Sequence, residues 1–343
     1  MAANTYASNT QRTNTRASGF ALAKKDQQLT LVELLERIPM DMHKANNMKL
    51  RRYLPPSVTV DSSGIPVAMV DGQFDATGVN PAFSLLTHED YTVTTKLYAK
   101  SYIVTDEAAD FSEDNLMKEA ATNLGEWAGM VEELVTYYKL LATPHVFYAN
   151  GAATSAVNTP VSKNLLSKVE RSLLNEKALH YDRFTTGSTN YATTPVPATF
   201  VAVGHVDLKY DFENNVTGFK PVESYGSQKV ISKYEIGTAG AFRIILTPNF
   251  PSFTDAGGTA GSMISTTGTN ADVYKMVAFG KRSACVSWPK AKKGMKVLTV
   301  PKDTPSPVDP AGRNAIMTGK EWFDAEITNA AWVCALEVAA TNV

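Results

Sequence analysis

The histidines of this sequence are the first residues to consider for chemistry, because imidazole binds metal ions and transfers protons near neutral pH. They are scattered at positions 43, 88, 145, 180 and 205. His180 precedes Asp182 by two residues, and His205 precedes Asp207 likewise, so each pair could share one strand face and bind a metal. Neither pair has a third ligand at a recognisable spacing. We interpret these histidines as structural and predict no metal site.

Two glycine-containing stretches do not have the spacing of nucleotide-binding loops. The run Gly257–Gly261 lacks the Lys-Ser/Thr pair that would hold a phosphate. The pair Gly237 and Gly240 has no third glycine at the spacing of a dinucleotide-binding loop. We therefore predict no cofactor site, and we interpret residues 254–269, which are rich in Gly, Ser and Thr, as a surface loop.

Neighbouring carboxylates occur at Glu89-Asp90, Asp106-Glu107 and Glu132-Glu133. Adjacent side chains point in different directions, so none of these forms an acid/base pair by itself. The favoured interpretation is solvated faces or intersubunit ion pairs. No serine or cysteine lies in a nucleophile-elbow motif. The sequence therefore predicts no catalytic residue, and we expect a protein that is not an enzyme.

Composition favours a large, soluble, non-enzymatic chain. Its 343 residues, 44% of them hydrophobic, can bury a substantial core. The formal charge of -1 argues against a protein that grips nucleic acid mainly through its own charge. Cys285 and Cys334 are too few for a disulfide framework. The apolar patch Phe20–Ala23 is too short for a signal core, and no stretch suits a membrane span, so we expect cytoplasmic synthesis.

The N-terminal part has the pattern of an arm followed by a hairpin. Residues 1–28 are too polar to fold alone, so we expect them to order only against a neighbour or a ligand. A capping box at Thr30 and Glu33 predicts a short helix before Pro39. The strand patterns Met48–Leu54, Ser57–Val60 and Ile65–Val70, with a turn at Asp61–Gly64, predict a hairpin.

A long strand and a long helix are expected next. Residues Thr92–Thr105 alternate in polarity, which predicts one strand well past the usual length of ~5–6 residues. A helix capped by Ser112 and ended by Pro144 follows, with a length of roughly 45 Å. Its apolar stripe consists of Leu116, Ala120, Leu124, Trp127, Val131, Leu134, Tyr138 and Leu141.

The second half of the sequence mixes one helix with short strands. An amphipathic helix is expected over Ser162–Ala178, with Leu165, Leu166, Val169 and Leu173 on its buried face. The expected strands are Thr199–Val203, Arg243–Thr247, Val273–Phe279 and Ala330–Val338. The prolines within and beside Lys302–Pro310 predict a crossover between subdomains.

Four stretches are informative by their order and spacing. They are Leu50–Pro55, Lys96–Asp106, Glu119–Gly125 and Val308–Trp322, with Val273–Lys281 as a weaker fifth. In this order the chain resembles the coat-protein fold of tailed bacteriophages, the Hong Kong 97 type. The local sequence is similar to the coat-protein family of N4-like podophages.

The resemblance implies an α+β fold with an N-terminal arm, an extended hairpin loop, a peripheral domain with a long spine helix, and an axial α/β domain. The implied boundaries are 1–47 for the arm with its short helix, 48–90 for the hairpin, 91–145 for the peripheral domain, 146–305 for the axial domain, and 306–343 for the return to the peripheral domain.

The resemblance also implies a function and partners. We expect a structural major capsid protein whose hexamers and pentamers close into an icosahedral shell around double-stranded DNA, assembled in the bacterial cytoplasm. A scaffolding protein, a portal protein and a possible decoration protein are the implied partners, with weak non-specific DNA contact and no membrane. Because no lysine lies between Arg52 and Lys96, we predict a noncovalent shell without hairpin lysine crosslinks.

Two other functions are compatible with parts of the sequence. The first is the shell of an encapsulin-like cellular nanocompartment that encloses an enzyme. The second is a metal-dependent enzyme that uses His180 with Asp182, or His205 with Asp207. Nuclease-protected DNA inside the particles would separate the capsid from the nanocompartment, and metal analysis of the purified protein would test the enzyme.

Overall fold

The computed structural model of the chain describes residues 29–41, 46–54, 85–181, 199–224, 230, 232–290, 294–305 and 309–343. These residues form two compact units, one of residues 47–94 and one that combines the residues before and after them. Strands predominate over helices in the larger unit, and both are present, so the predicted α+β class is confirmed. The predicted hairpin strands Ser57–Val60 and Ile65–Val70 lie outside the described residues.

The helices and strands have the following bounds. The helices are α1 (Asp106–Phe111), α2 (Leu116–Leu141), α3 (Lys163–Asn175) and α4 (Lys209–Asn214), and 3-10 turns include Val32–Leu34 and Ala330–Trp332. The first strands are β1 (Glu36–Arg37), β2 (Asn47–Tyr53), β3 (His88–Thr94), β4 (Lys96–Thr105), β5 (Val146–Tyr148), β6 (Phe200–His205) and β7 (Lys220–Pro221). They are followed by β8 (Glu235–Ala239), β9 (Phe242–Thr247), β10 (Val273–Phe279), β11 (Ala284–Ser287), β12 (Lys296–Val300), β13 (Asn314–Ile327) and β14 (Val333–Ala339).

A seven-stranded sheet with the order β5-β14-β10-β6-β9-β8-β7 forms the centre of the larger unit. Its strand β10 pairs antiparallel with β14 and with β6, and β6 pairs parallel with β9. Successive residues of β10 enter two different cores, as the two-residue period of a strand requires. Tyr274 and Met276 pack in the core that contains α3, whereas Val277 and Phe279 pack in the core that contains Tyr137 of α2.

The second sheet of this unit is organised around its longest strand. In it β13 pairs antiparallel with β4 over ten residue positions from Asn314 to Phe323, with β12 from Ile316 to Lys320, and with β11 from Asp324 to Ile327. Strand β1 adds to β11 in parallel. The predicted crossover at Lys302–Pro310 is therefore wrong, because this segment joins two paired strands of one sheet. Prolines occur in hairpin loops as well as in linkers between subdomains, so their number alone does not distinguish the two.

The predicted continuous strand Thr92–Thr105 is also wrong. Thr95 separates β3, which pairs with β2, from β4, which pairs with β13. The Thr95 amide and hydroxyl both donate to the Asn46 carbonyl, which holds the chain where it changes partners. Alternation continues across this point because both strands have exposed faces, so polarity alone does not reveal the break.

The helices confirm some predicted boundaries and correct others. Ser162 caps α3 through the Leu165 amide, and the predicted residues Leu165, Leu166, Val169 and Leu173 are all buried. The long helix begins later than predicted, because Ser112 ends α1 and Asn115 caps α2. The predicted apolar stripe is correct at Ala120 and Leu124 but wrong farther along, where Tyr138 is 51% exposed. Glu132, Glu133 and Thr136 take the buried face instead.

Strands in the second half were predicted closely. The pattern Val273–Phe279 matches β10, and Thr199–Val203, Arg243–Thr247 and Ala330–Val338 overlap β6, β9 and β14. The 3-10 turn Ala330–Trp332 replaces the first residues of the last predicted strand. These are central or near-central strands of the seven-stranded sheet, so their apolar runs are long and bounded by turns.

Candidate functional site

The pair His205 and Asp207 ends a strand and begins a turn. The Asp207 amide donates to Nδ1 of His205 over 3.2 Å, which makes the imidazole a cap for the 3-10 turn that follows β6. The Tyr274 hydroxyl donates to Oδ2 of Asp207 over 2.8 Å. Burial lowers the pKa of His205 below its ordinary value, although Asp207 acts in the opposite direction. This arrangement uses one imidazole nitrogen and one carboxylate oxygen of the pair for contacts within the fold.

The other candidate pair is not brought together within the described residues, since Asp182 lies outside them. The His180 ring stacks on Phe200, with 4.1 Å between the ring centroids. In the part of the chain that the structure describes, no three or more His, Cys, Asp or Glu residues cluster as metal ligands would. Within the same residues no helix is long and apolar enough to cross a membrane.

The glycine-rich loop uses its amides for the protein itself. The Gly257 amide donates to the Ala271 carbonyl and the Gly258 amide to the Val157 carbonyl. A Cβ on Gly257 would lie 2.2 Å from the Val157 carbonyl oxygen, so the backbones approach too closely for any other residue. Phosphate cradles need amides that point at the ligand. These two amides are already satisfied.

Two of the three carboxylate pairs, Glu89-Asp90 and Asp106-Glu107, form ion pairs with basic residues of other strands or segments. Arg51 donates to both carboxylate oxygens of Asp90 over 2.8 and 3.1 Å, and Arg52 donates to Glu89 on the other face of the β2–β3 ladder over 2.5 Å. Hydrogen bonding from Arg51 holds the pKa of Asp90 well below its ordinary value. Because both faces of the ladder carry an ion pair, the register at the base of the predicted hairpin is specified twice.

The third pair, Glu132-Glu133, contains a buried carboxylate whose role the sequence did not indicate. The Glu133 carboxylate is fully buried and accepts hydrogen bonds from the backbone amides of Thr30, Leu31 and Val32, at 2.6 to 3.1 Å. A carboxylate on the long helix α2 therefore caps the first described turn of the N-terminal arm. The predicted capping box does not form, since the 3-10 turn Val32–Leu34 has no side-chain cap of its own.

Apolar packing and one further hydrogen bond complete the anchor of the arm. Leu31, Val32 and Leu35 belong to the same buried cluster as Tyr137 and Leu140 of α2. The Tyr181 hydroxyl donates to the Leu34 carbonyl over 2.8 Å. Burial raises the pKa of Glu133 to about 7, and the amide bonds act against this shift. The arm is thus held by a buried carboxylate that has no ion pair with any described residue.

The two cysteines are expected to resist alkylation in the folded protein. Cys285 and Cys334 are unpaired and fully buried, and burial raises the pKa of each thiol to about 12. Because the thiolate is the nucleophile, folding should slow their reaction with iodoacetamide at pH 8 about a thousandfold. Timed alkylation with mass spectrometry of folded and denatured protein measures this. Equal rates in the two states would contradict the burial of both thiols.

Comparison with known proteins adds a family and a set of similar folds. The family described as "Phage capsid protein" matches residues 89–284, which is more than half of the chain. Curated protein sequences gave no match. The chain is similar to the structure titled "Cyanophage Pam1 capsid asymmetric unit", with 12% identity, a TM-score of 0.61, and 99% of each chain covered.

Two other solved structures are similar over most of their length. One is titled "Capsid of Ralstonia phage GP4" and has 12% identity, a TM-score of 0.58, and coverage of 90% of this chain and 88% of that one. The other is the head structure of Helicobacter pylori bacteriophage KHP40, with 10% identity, a TM-score of 0.54, and coverage of 88% and 86%. At these identities the similarity establishes the fold, and the family match adds the class of protein.

Proposed function

This chain belongs to the family of phage capsid proteins, and we propose that its copies assemble through noncovalent contacts into the icosahedral shell of a tailed phage around double-stranded DNA. It is a structural major capsid protein with the Hong Kong 97-type fold. The single observation that carries this function is the family match over residues 89–284, which contains the long helix α2 and six of the seven strands of the larger sheet. Membership of the N4-like subfamily remains a prediction.

The division into arm, hairpin, peripheral and axial domains is proposed on the same basis. The hairpin of residues 48–90 would reach an adjacent subunit, and its ladder of β2 and β3 would hold its two strands in register. Support comes from the paired ion pairs at that ladder, Arg51 with Asp90 and Arg52 with Glu89, which fix the strand register. Hexamers and pentamers would form through such contacts between copies.

Strand β12 is a second surface that fits contact between subunits. All of its residues are exposed, including Val297, Leu298 and Val300, which are each about 40% exposed. Among the described strands it pairs only with β13, so its other edge presents backbone donors and acceptors. Isolated proteins usually protect apolar edge strands from aggregation. An apolar edge of this kind is consistent with coverage in an assembled shell.

The partners beyond the shell itself are proposed from the class of protein. A scaffolding protein would guide assembly, a portal protein would occupy one vertex, and a decoration protein could bind the outer face. The formal charge of -1 fits a coat that makes only weak, salt-sensitive contacts with packaged DNA. Assembly in the host cytoplasm follows from the same proposal.

Mature particles are expected to dissociate into single chains in hot detergent. The interval between Arg52 and Lys96 contains no lysine, so the part of the hairpin beyond Arg52 lacks the amine that a lysine–asparagine crosslink needs. Denaturing electrophoresis of boiled particles should therefore show this chain as a single band near 37.2 kDa. Ladders of covalent multimers that persist in reducing detergent would contradict a noncovalent shell.

Electron microscopy of particles formed by the expressed chain, followed by nuclease protection of virions, tests the proposed function. Closed shells and protected double-stranded DNA are the expected results. The alternative of an encapsulin-like nanocompartment is not favoured, because the matching family and the similar structures are phage capsids. Recovery of an enclosed enzyme instead of DNA would reverse that preference.

A further inference from the structure

Strand β12 is uncovered at one edge and on both faces. It is the last strand of its sheet, and among the described strands it pairs only with β13. All five of its residues are exposed. A strand with one covered face alternates between more and less buried residues, as β13 does beside it. Within the part of the chain that the structure describes, nothing therefore covers either face of β12.

The free edge of β12 has few of the features that keep edge strands apart. Its ladder with β13 runs from Lys296 to Val300 without a bulge. The strand contains no proline, since Pro301 lies just beyond it, and Lys296 is its only charged residue. The valines and the threonine of Val297–Val300 favour strands. Because edge strands are normally protected by prolines, charges or bulges, this edge is suited to pairing with another strand.

Charge disfavours the opposite edge of the same sheet as the partner in a second copy. That edge is formed by β4, whose exposed part lies within Lys96–Ser101. Lys96 and Lys100 are both exposed there, so pairing would bring them close to Lys296. Like charges on neighbouring strands destabilise a sheet.

A second β12 strand is a better partner for this edge. In an antiparallel pair centred on Leu298, Lys296 lies opposite Val300 of the second copy, and Val297 lies opposite Thr299. Leu298 then lies opposite Leu298 of the second copy. No like charges face each other in this register, and the central pair is apolar. The sequence of β12 is therefore complementary to itself when read antiparallel.

The side chains of β12 that point away from α2 continue an apolar face of the sheet. Val300 lies opposite Ile316 of β13, which lies opposite Ile103 of β4. Met317, the next residue of β13, packs against α2, so Ile316 and Val300 point to the other side, as does Leu298. Opposite residues of an antiparallel pair share one face. Two sheets joined at their β12 edges would thus place both apolar faces on the same side.

We infer that β12 is a self-association edge, through which two copies of this chain pair as antiparallel strands about a two-fold axis with Leu298 at the centre. The inference rests on the proposed shell and names one contact within it. A two-fold contact uses the same surface on both subunits, so it links subunits in pairs and does not close a ring of five or six. It therefore joins a subunit of one hexamer or pentamer to a subunit of the next.

Disulfide formation between introduced cysteines tests the contact and its register. Leu298→Cys in assembled particles should oxidise to a dimer of twice 37.2 kDa on non-reducing denaturing gels, because opposite Cβ atoms are about 4.5–5.5 Å apart. Lys296→Cys and Val300→Cys should each remain monomeric alone, since the two copies of either residue are offset by about 14 Å along the strands. Particles assembled from a mixture of these two variants should crosslink. The native Cys285 and Cys334 are buried.

Charge substitution at Leu298 tests whether the contact holds particles together. Leu298→Lys and Leu298→Glu, each assembled alone, should reduce the yield of closed shells about tenfold, because like charges would lie directly opposite each other. A mixture of the two variants should restore the yield, because opposite charges then pair. The mixture is the matched control, since it contains the same substitutions and differs only in which charges meet.

Three outcomes decide the inference separately from the proposed function. Closed shells of Leu298→Cys that stay monomeric under oxidation would overturn the pairing and leave the proposed shell intact. Equal crosslinking of Leu298→Cys, Lys296→Cys and Val300→Cys would overturn the antiparallel register. Absence of closed shells from the parent chain would contradict the proposed function alone, and oxidation of the same three variants as concentrated soluble subunits would then decide the contact.

Discussion

Deletion of residues 61–74 is expected to leave a folded subunit that does not form closed shells. Asp61–Phe74 lies outside the described residues and is the predicted outer part of the hairpin above the β2–β3 ladder. The two main core clusters consist only of residues of the larger unit, so folding should persist without this segment. An isolated two-stranded hairpin is at best marginally stable in water. Its apolar residues, including Val67, Met69 and Phe74, therefore need a surface that we expect an adjacent subunit to supply.

Particle formation and subunit folding have to be measured on the same preparation. Electron microscopy and sedimentation should show closed shells for the parent chain and only small oligomers or open sheets for the deletion variant. Circular dichroism of the unassembled subunit should show an unchanged melting transition apart from the missing residues. Closed shells in normal yield from the deletion variant would show that the hairpin is wrongly assigned.

A control variant separates loss of the hairpin from disturbance of its turn. Ser62→Asn with Ser63→Gly keeps the length of the hairpin and installs a favourable two-residue turn between the predicted strands. This variant should assemble like the parent, because the proposed contacts lie along the strands. Failure of both variants would point to the turn itself as the contact.

The central strands could be predicted from sequence because their signal is local. Residues Val273–Phe279 form an apolar run bounded by turns, and the structure places them in β10 between two partners. Helix α3 was predictable for a similar reason, since its cap Ser162 and its buried residues recur within one short segment. In both cases the element can be predicted without knowing which other element it pairs with or packs against.

The features that were not predicted depend on partners distant in the sequence. The break at Thr95 arises because the strands on its two sides pair with β2 and with β13, and a polarity pattern does not identify partners. The apolar residues of α2 recur at helical spacing on more than one face. Periodicity alone therefore did not show that Tyr138 faces outward and Glu133 inward.

The arm anchor was missed for the same reason. Thr30 and Glu33 fit a capping box, so the sequence predicts that the turn is capped by its own side chains. Instead, the backbone amides of Thr30, Leu31 and Val32 donate to Glu133, which is 103 residues from Thr30. A paired carboxylate such as Glu132-Glu133 is usually solvated. The only sequence signal was an acidic pair within an otherwise apolar part of a long helix.

Replacement of Glu133 by alanine is expected to detach the first described residues of the arm from α2. The substitution removes the acceptor of the Thr30, Leu31 and Val32 amides and leaves a cavity in a buried site. We expect a loss of about 2 kcal/mol at pH 6, or roughly 30-fold faster hydrogen exchange at these amides. Glu170→Ala on α3 is the matched control and should change stability by less than about 0.5 kcal/mol.

The effect should also depend on pH in a direction fixed by the burial of Glu133. The pKa of Glu133 is about 7 in the folded protein and 4.5 for an ordinary glutamate, so between these pH values the folded protein holds the proton more tightly than the unfolded chain does. The unfolding free energy that depends on Glu133 is thus fully present below pH 4.5 and falls as pH rises to 7, by on the order of 3 kcal/mol. Denaturant unfolding of the parent and of Glu133→Gln from pH 5 to pH 8 isolates this contribution, because the glutamine does not titrate. Stability of the parent relative to Glu133→Gln that stays constant or rises with pH would contradict the raised pKa. It would mean that the three amides stabilise the charged carboxylate more than burial disfavours it.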